Sequence, residues 1–207
     1  MTRVGVFGAA GRMGATVCQA VTAEPDLELV AAVDPLHAGL ALREVIRADV
    51  PDLFIAPAPA AVVGIGVDVV VDFTHIEAAR SNLAWCADHG VHAVVGTTGF
   101  TSKDFDDLAA RFVKSNCIVA PNFAIGAVLM MRLAELAAPY FETAEVVELH
   151  HDQKRDAPSG TAMLTVERMA AASDRWGADP TEQESLTGAR GAIGPAGIRV
   201  HSVRLRG

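Results

Sequence analysis

Apolar residues arrive in short, nearly unbroken runs at residues 3–7 (R-V-G-V-F), 27–33 (L-E-L-V-A-A-V), 67–73 (V-D-V-V-V-D-F), 91–95 (V-H-A-V-V) and 117–120 (C-I-V-A). Each is too short for a helix and most are rich in β-branched side chains, so each predicts a strand. Between them, apolar positions recur at helical spacing over residues 12–21, 76–89 and 102–114. Strands that are apolar along their whole length, alternating with helices, predict a doubly wound parallel sheet covered on both faces. Residues 38–64 lack a clear period. A helix fits 41–48, and A-P-A-P-A-A at 56–61 predicts an irregular connection.

The rhythm changes after Pro121. A long helix is expected over 125–141 and a strand over 144–149 that runs into His150-His151. A helix to about residue 172 should follow Pro158-Ser159-Gly160-Thr161, and the alternating I-R-V-H-S-V-R-L at 198–205 predicts a half-buried strand. These elements describe a smaller α+β unit. We place the domains at residues 1–124 and 125–207, with no internal repeat.

Charge and cysteine usage narrow the function. The 207 residues carry 17 Lys+Arg against 25 Asp+Glu, a net charge of −8. That balance argues against nucleic acid as the main partner, because phosphates need a cationic face. The three cysteines, Cys18, Cys86 and Cys117, form no C-x-x-C pair and no disulfide framework, as expected of thiols in a reducing cytoplasm. Neither a secretory leader nor an apolar run of membrane-spanning length is present. A cytoplasmic protein with no membrane or nucleic-acid partner is therefore expected.

The first strand and helix are joined by Gly8-Ala9-Ala10-Gly11-Arg12-Met13-Gly14, a G-x-x-G-x-x-G turn, and Asp34 closes the second strand twenty residues beyond Gly14. Missing β-carbons let the backbone approach a pyrophosphate while the helix start offers free N–H groups. A carboxylate at Asp34 can hold ribose hydroxyls. The pattern in this context predicts a dinucleotide site of the Rossmann type. Asp34 favours NADH, whereas Arg12 could meet the 2′-phosphate of NADPH, so both cofactors stay open. Gly96-Thr97-Thr98-Gly99 and Ala120-Pro121-Asn122-Phe123 end the fourth and fifth strands, on the carboxyl edge where such sheets bind ligands. Ordinary turn chemistry explains either segment equally well.

The segment from His150 to Thr161 packs two imidazoles, Lys154 and Arg155 beside a small-residue turn entering a helix. Ser159 can cap that helix, and the amides of Gly160 and Thr161, with His151 and Lys154, suit the carboxylates of a small diacid. A His or Lys here is a natural proton donor when a hydride adds to an unsaturated ring. A solvated, capped loop is the alternative. A metal site is not expected, because adjacent strand histidines face opposite ways. His75, His89 and His92 read as packing or surface residues, and Cys86 and Cys117 as core.

Five segments together, V-G-V-F-G-A-A-G-R-M-G at 4–14, V-D-F-T-H at 71–75, V-V-G-T-T-G-F at 94–100, A-P-N-F-A-I-G-A at 120–127 and E-L-H-H-D-Q-K-R-D-A-P-S-G-T-A at 148–162, closely resemble the dihydrodipicolinate reductases of bacterial lysine and diaminopimelate biosynthesis. The resemblance implies reduction of (hydroxy-)tetrahydrodipicolinate by NADH or NADPH in a homotetramer built through the second domain's sheet. It implies that His150 is the proton donor/acceptor and Lys154 a second donor. It also implies that His151, Ser159, Gly160 and Thr161 bind the small cyclic dicarboxylate. Gly8, Ala9, Ala10, Gly11, Arg12, Met13, Asp34, Gly96, Thr97, Thr98, Ala120, Pro121, Asn122 and Phe123 would line the cofactor site. Gln153 stands where the family often has a third histidine. Family chains normally continue a few dozen residues past Arg206-Gly207, which leaves a shortened, binding-only relative as the other reading. A semialdehyde dehydrogenase, a third reading, would need a reactive cysteine.

Overall fold

The computed structural model describes residues 1–120 and 122–206. The chain divides into two compact units, Met1–Pro121 and Asn122–Gly207, a break three residues before the boundary expected at 124/125.

The first unit strings together β1 (Thr2–Phe7), α1 (Arg12–Ala23), β2 (Leu27–Val33), α2 (Leu42–Ile46), β3 (Val69–Asp72), α3 (Ile76–His89), β4 (His92–Val95), α4 (Ser102–Arg111) and β5 (Cys117–Val119). Its five strands lie side by side in the order β2-β1-β3-β4-β5, all parallel. Side chains of β1 alternate between two cores: Val4 and Val6 join Cys18, Leu29 and Ala32 on one face, and Phe7 joins Val70, Leu83 and Val95 on the other. Burial on both faces is why these strands carry almost no polar residue. The register puts Phe7 beside Val33 on one side and Asp72 on the other, so the chain leaves β1 where the strand order reverses.

Local chemistry sets the helix ends. In α1 the buried residues Gly14, Cys18 and Val21 recur at helical spacing. His75 caps α3 by accepting from the Ala78 amide, and α4 begins with a capping box in which Thr101 and Asp104 satisfy each other's backbone N–H. That helix stops at Arg111, short of the expected residue 114. The stretch 38–64 is not a loose connection: Leu42, Val50 and Ile55 enter the first core, the bridge Val33↔Ala56 ties it to the sheet edge, and Ala41↔Phe54 closes it on itself.

The second unit holds α5 (Ile125–Ala137), β6 (Glu145–His151), α6 (Gly160–Ala172), β7 (Ala192–Ile193) and β8 (Arg199–Leu205). The helix expected over 125–141 ends at Ala137 and tightens into a 3-10 turn, Ala138–Tyr140, with Pro139 at its start, because proline disrupts the α-helical bonding pattern. The sheet order is β6-β8-β7, with β6 parallel to β8 and β7 antiparallel to it. Val166 of α6 packs on Val200 and Ile198 to form a small core. Val147 and Leu149, on the other face of β6, are exposed. No helix among the described residues is long and apolar enough to cross a membrane.

Candidate active site

At the end of β1 the chain turns at Gly8, with φ of +74°, and the amides of Gly8 and Ala9 both donate to the Val33 carbonyl (2.8 and 3.2 Å). The turn then runs directly into α1, and a β-carbon on Gly14 would stand 2.0 Å from the Gly8 carbonyl oxygen. Glycine is required there by close approach. Ala9 is buried beneath the turn, while Gly11, Arg12 and Met13 form its exposed outer side. The helix starts with Gly11 at its N-cap, no side-chain cap and no acid in the first turn. Its first N–H groups and positive dipole end therefore have no partner within the helix, the arrangement that accepts a pyrophosphate. The bare turn fits a dinucleotide.

Asp34 ends β2 as expected, nearly buried, and its Oδ1 accepts from the Leu36 amide (3.1 Å) and meets His37 Nδ1 (3.2 Å). Gly96, Thr97 and Thr98 follow β4. Thr98 is exposed, but Thr97 is turned inward, donating to Asp72 Oδ1 and to the Thr74 carbonyl (3.2 Å each). Asp72 is fully buried and also accepts from Thr74 N (2.9 Å), Thr74 Oγ1 (2.7 Å) and Asn82 Nδ2 (2.7 Å). It joins the loops after β3 and β4 to α3. Sequence reasoning missed it, although an acid closing an otherwise apolar strand was the signal. Ala120 donates to the Val95 carbonyl (2.9 Å), and Pro121 lies outside the described residues.

In the second unit, Asn122 bonds Thr161 through Nδ2 (3.2 Å) and the Ala124 amide through Oδ1 (2.8 Å), and Phe123 is half exposed. The structure thus brings Asn122, expected on the cofactor side, against Thr161, expected on the substrate side. Ser159 caps α6, its hydroxyl accepting from the Ala162 amide (3.2 Å). Gly160 is exposed, with nothing within 4 Å of a would-be β-carbon. The first two amides of α6, those of Gly160 and Thr161, have no intrahelical acceptor and suit a carboxylate.

His150 and Glu148 share one face of β6, two residues apart, and His150 Nδ1 is hydrogen-bonded to Glu148 Oε2. His151 falls on the opposite face, with Val147 and Leu149, so the two histidines do not converge. Lys154 Nζ is held by both oxygens of Asp156 (2.8 and 2.9 Å). The Lys154 ammonium in turn holds the Asp156 carboxyl below its ordinary range. Carboxylates stand among the cations of 150–161. Glu148, Asp156 and Asp152 meet His150, Lys154 and Arg206 in ion pairs, and the distant Arg204 closes on Glu148. Burial alone would raise the Glu148 carboxyl, but Arg204, Ser202 and His150 outweigh it and hold the group at about 2. Among the described residues no cluster of three or more His, Cys, Asp or Glu could hold a metal ion.

The thiols are inert by environment. Burial pushes Cys18 and Cys86 up to about 12 and Cys117 up to about 11, so none is poised as a thiolate nucleophile.

A parallel sheet with a bare glycine turn at its reversal point, followed by a separate α+β unit, defines a two-domain oxidoreductase with a Rossmann-type first domain. More narrowly, this chain belongs to the dihydrodipicolinate reductase family: the family's N-terminal model matches residues 2–123 and its C-terminal model residues 126–207. The chain is 47% identical over 214 residues to the 4-hydroxy-tetrahydrodipicolinate reductase of Cutibacterium acnes, covering 100% of this chain and 77% of that protein. A solved structure, the dipicolinate-bound dihydrodipicolinate reductase from Paenisporosarcina sp. TG-14, is similar at 41% identity and a TM-score of 0.78, over 100% of this chain and 80% of that one. Aspartate semialdehyde dehydrogenase from Candida albicans, at 14% identity and a TM-score of 0.59 over 100% of this chain and 68% of that one, shares the fold alone.

Proposed function

We propose that this chain reduces 4-hydroxy-tetrahydrodipicolinate, a small cyclic dicarboxylate, with NADH or NADPH, the step its relatives are named for in lysine and diaminopimelate biosynthesis. The observation that carries the reading is His150, held at Nδ1 by a buried carboxylate on the strand that leads to the open N-terminus of α6. The nicotinamide, when bound, supplies a hydride. Gly8, Ala9, Ala10, Gly11, Arg12 and Met13 would hold the pyrophosphate and Asp34 the ribose, with Gly96, Thr97, Thr98, Ala120, Pro121, Asn122 and Phe123 assigned to the nicotinamide. Ser159 orients α6 so that Gly160 and Thr161 would receive one substrate carboxylate. His150 delivers the proton from Nε2, and Lys154 is the second donor, released from Asp156 as substrate arrives.

The exposed Val147, Leu149 and Leu205 suit burial against further copies, which supports a homotetramer assembled on this sheet. Three free thiols and a nicotinamide-dependent reaction fit the cytoplasm.

The test is loss of nicotinamide absorbance with enzymatically generated substrate. Turnover is expected, inhibited by pyridine-2,6-dicarboxylate, and His150→Gln and Lys154→Ala should each lower kcat about a hundredfold or more with little change in NADH affinity. NADH binding without turnover, and without response to the diacid, would replace this reading by a binding-only one.

A further inference from the structure

Glu148 is the least expected residue of the second unit. It lies in the middle of β6, only 8% exposed, and its two oxygens serve three elements. Arg204 of β8 grips it from Nη1 to Oε2 (3.1 Å) and from Nη2 to Oε1 (2.9 Å). The Ser159 amide, at the cap of α6, donates to Oε1 (3.3 Å), and His150 Nδ1 meets Oε2. Arg204 reaches further, from Nη2 to the Asp156 carbonyl (2.5 Å), so it also anchors the loop that delivers Ser159.

As a mere strap between β6 and β8 this is a poor choice. A buried ion pair is often no more stabilising than apolar residues of similar volume, because both charges must leave water. Two apolar side chains would join the strands as well, but they would leave the imidazole of His150 free to rotate and to choose its tautomer. With Nδ1 bound to a carboxylate, Nε2 is the nitrogen left to act.

We propose that Glu148 and Arg204 are a positioning pair for proton transfer. Glu148 fixes the orientation and tautomer of His150 and, through the Ser159 amide, the start of α6, while Arg204 holds the carboxylate in place. One buried group thereby sets the spacing between the proton donor and the amides that receive the substrate carboxylate. The groups that meet the Glu148 carboxylate are His150 on its own strand, Arg204 on β8 and the Ser159 amide at the start of α6. This assignment rests on the reading of His150 as proton donor.

Two readouts test it. In the full chain, the ring tautomer of His150 is read by NMR in wild type, in Glu148→Gln and in the double variant Glu148→Gln/Arg204→Met, and the single form set by the carboxylate at Nδ1 should give way to a mixture of tautomers when the carboxylate is removed. In turnover, kcat should fall about ten- to a hundredfold with KM changed far less. Glu148→Gln leaves the Arg204 charge buried alone, so the double variant, which removes both charges, carries the test where the single one does not fold. An unchanged His150 tautomer, or a double variant that recovers both wild-type stability and wild-type kcat, would overturn the assignment and leave only a strap. Wild type without turnover would sink the proposed reaction, while the tautomer readout would still decide the Glu148–His150 coupling.

Discussion

Replacing Gly14 by Ala sets two effects of opposite sign against each other. Alanine is the better helix former, by about 0.8–1 kcal/mol in a helix interior, so propensity alone predicts a more stable protein. The geometry predicts the reverse. The new β-carbon would lie 2.0 Å from the Gly8 carbonyl oxygen, 2.7 Å from its carbon and 2.9 Å from the Ala9 Cα, all backbone atoms. Restoring ordinary contact needs a retreat of about 1.4 Å between the turn and α1. Overpacking of this kind costs about 1–3 kcal/mol, and here no side chain can rotate away to absorb it. The net loss is then up to about 2 kcal/mol, a fall in Tm of up to about 4–8 °C. Because the same retreat moves the free amides of α1, NADH affinity should weaken about tenfold, equivalent to about 1.4 kcal/mol. Gly126→Ala is the matched control, since that glycine begins α5 with nothing within 4 Å of its would-be β-carbon. Circular dichroism on heating and NADH fluorescence titration read both variants. A Gly14→Ala protein as stable as Gly126→Ala, with wild-type NADH affinity, would refute the close-approach account of the turn.

Asp72→Ala removes the acceptor of four hydrogen bonds and leaves Asn82 and Thr97 buried without it, so unfolding in urea should show a loss of about 3 kcal/mol or more, together with weaker NADH binding. Glu148, held at about 2 in the folded chain against 4.5 ordinarily, adds stability that is fully present above pH 4.5 and drains away as the pH falls toward 2. Its share is on the order of 3 kcal/mol, so urea midpoints should drop steeply across that interval and less so in Glu148→Gln/Arg204→Met. Iodoacetamide at neutral pH should leave turnover intact, since all three thiols are pushed up by burial; rapid inactivation would point back to a cysteine nucleophile. Val147→Asp with Leu149→Lys should break the proposed tetramer into smaller species on sedimentation; a variant of the same mass as wild type would rule out this face as the interface.

What could be read from the chain alone follows from how local each cause is. The first unit's strands were legible because burial on both faces makes them continuously apolar, and α1 because Gly14, Cys18 and Val21 repeat at helical spacing. Residues 38–64 were not, because Leu42, Val50 and Ile55 reach the core from a five-residue helix and two isolated bridges, with no period to detect. The glycine turn, the Ser159 cap and the strand bearing His150 could be read from spacing. Their partners could not. Arg204 meets Glu148 across 56 residues, a pairing no local pattern announces, though a Glu two places before a strand histidine shares its face by alternation. Asp156 meets Lys154 within its own segment, whereas Asp152 meets Arg206 from 54 residues further on.

The parallel pairing of β6 with β8 has a consequence for biosynthesis on the ribosome. Glu145 aligns with Arg199, so β6 emerges more than fifty residues before the strand it needs. At roughly 5–20 residues per second that is a wait of several seconds, during which a carboxylate destined for burial has no guanidinium and the neighbouring valines have no sheet. By contrast β1 finds β2 after about 25 residues. The nascent chain should therefore acquire protease resistance in its first half well before its second, and chaperone capture should concentrate on arrested chains that end between residues 151 and 199.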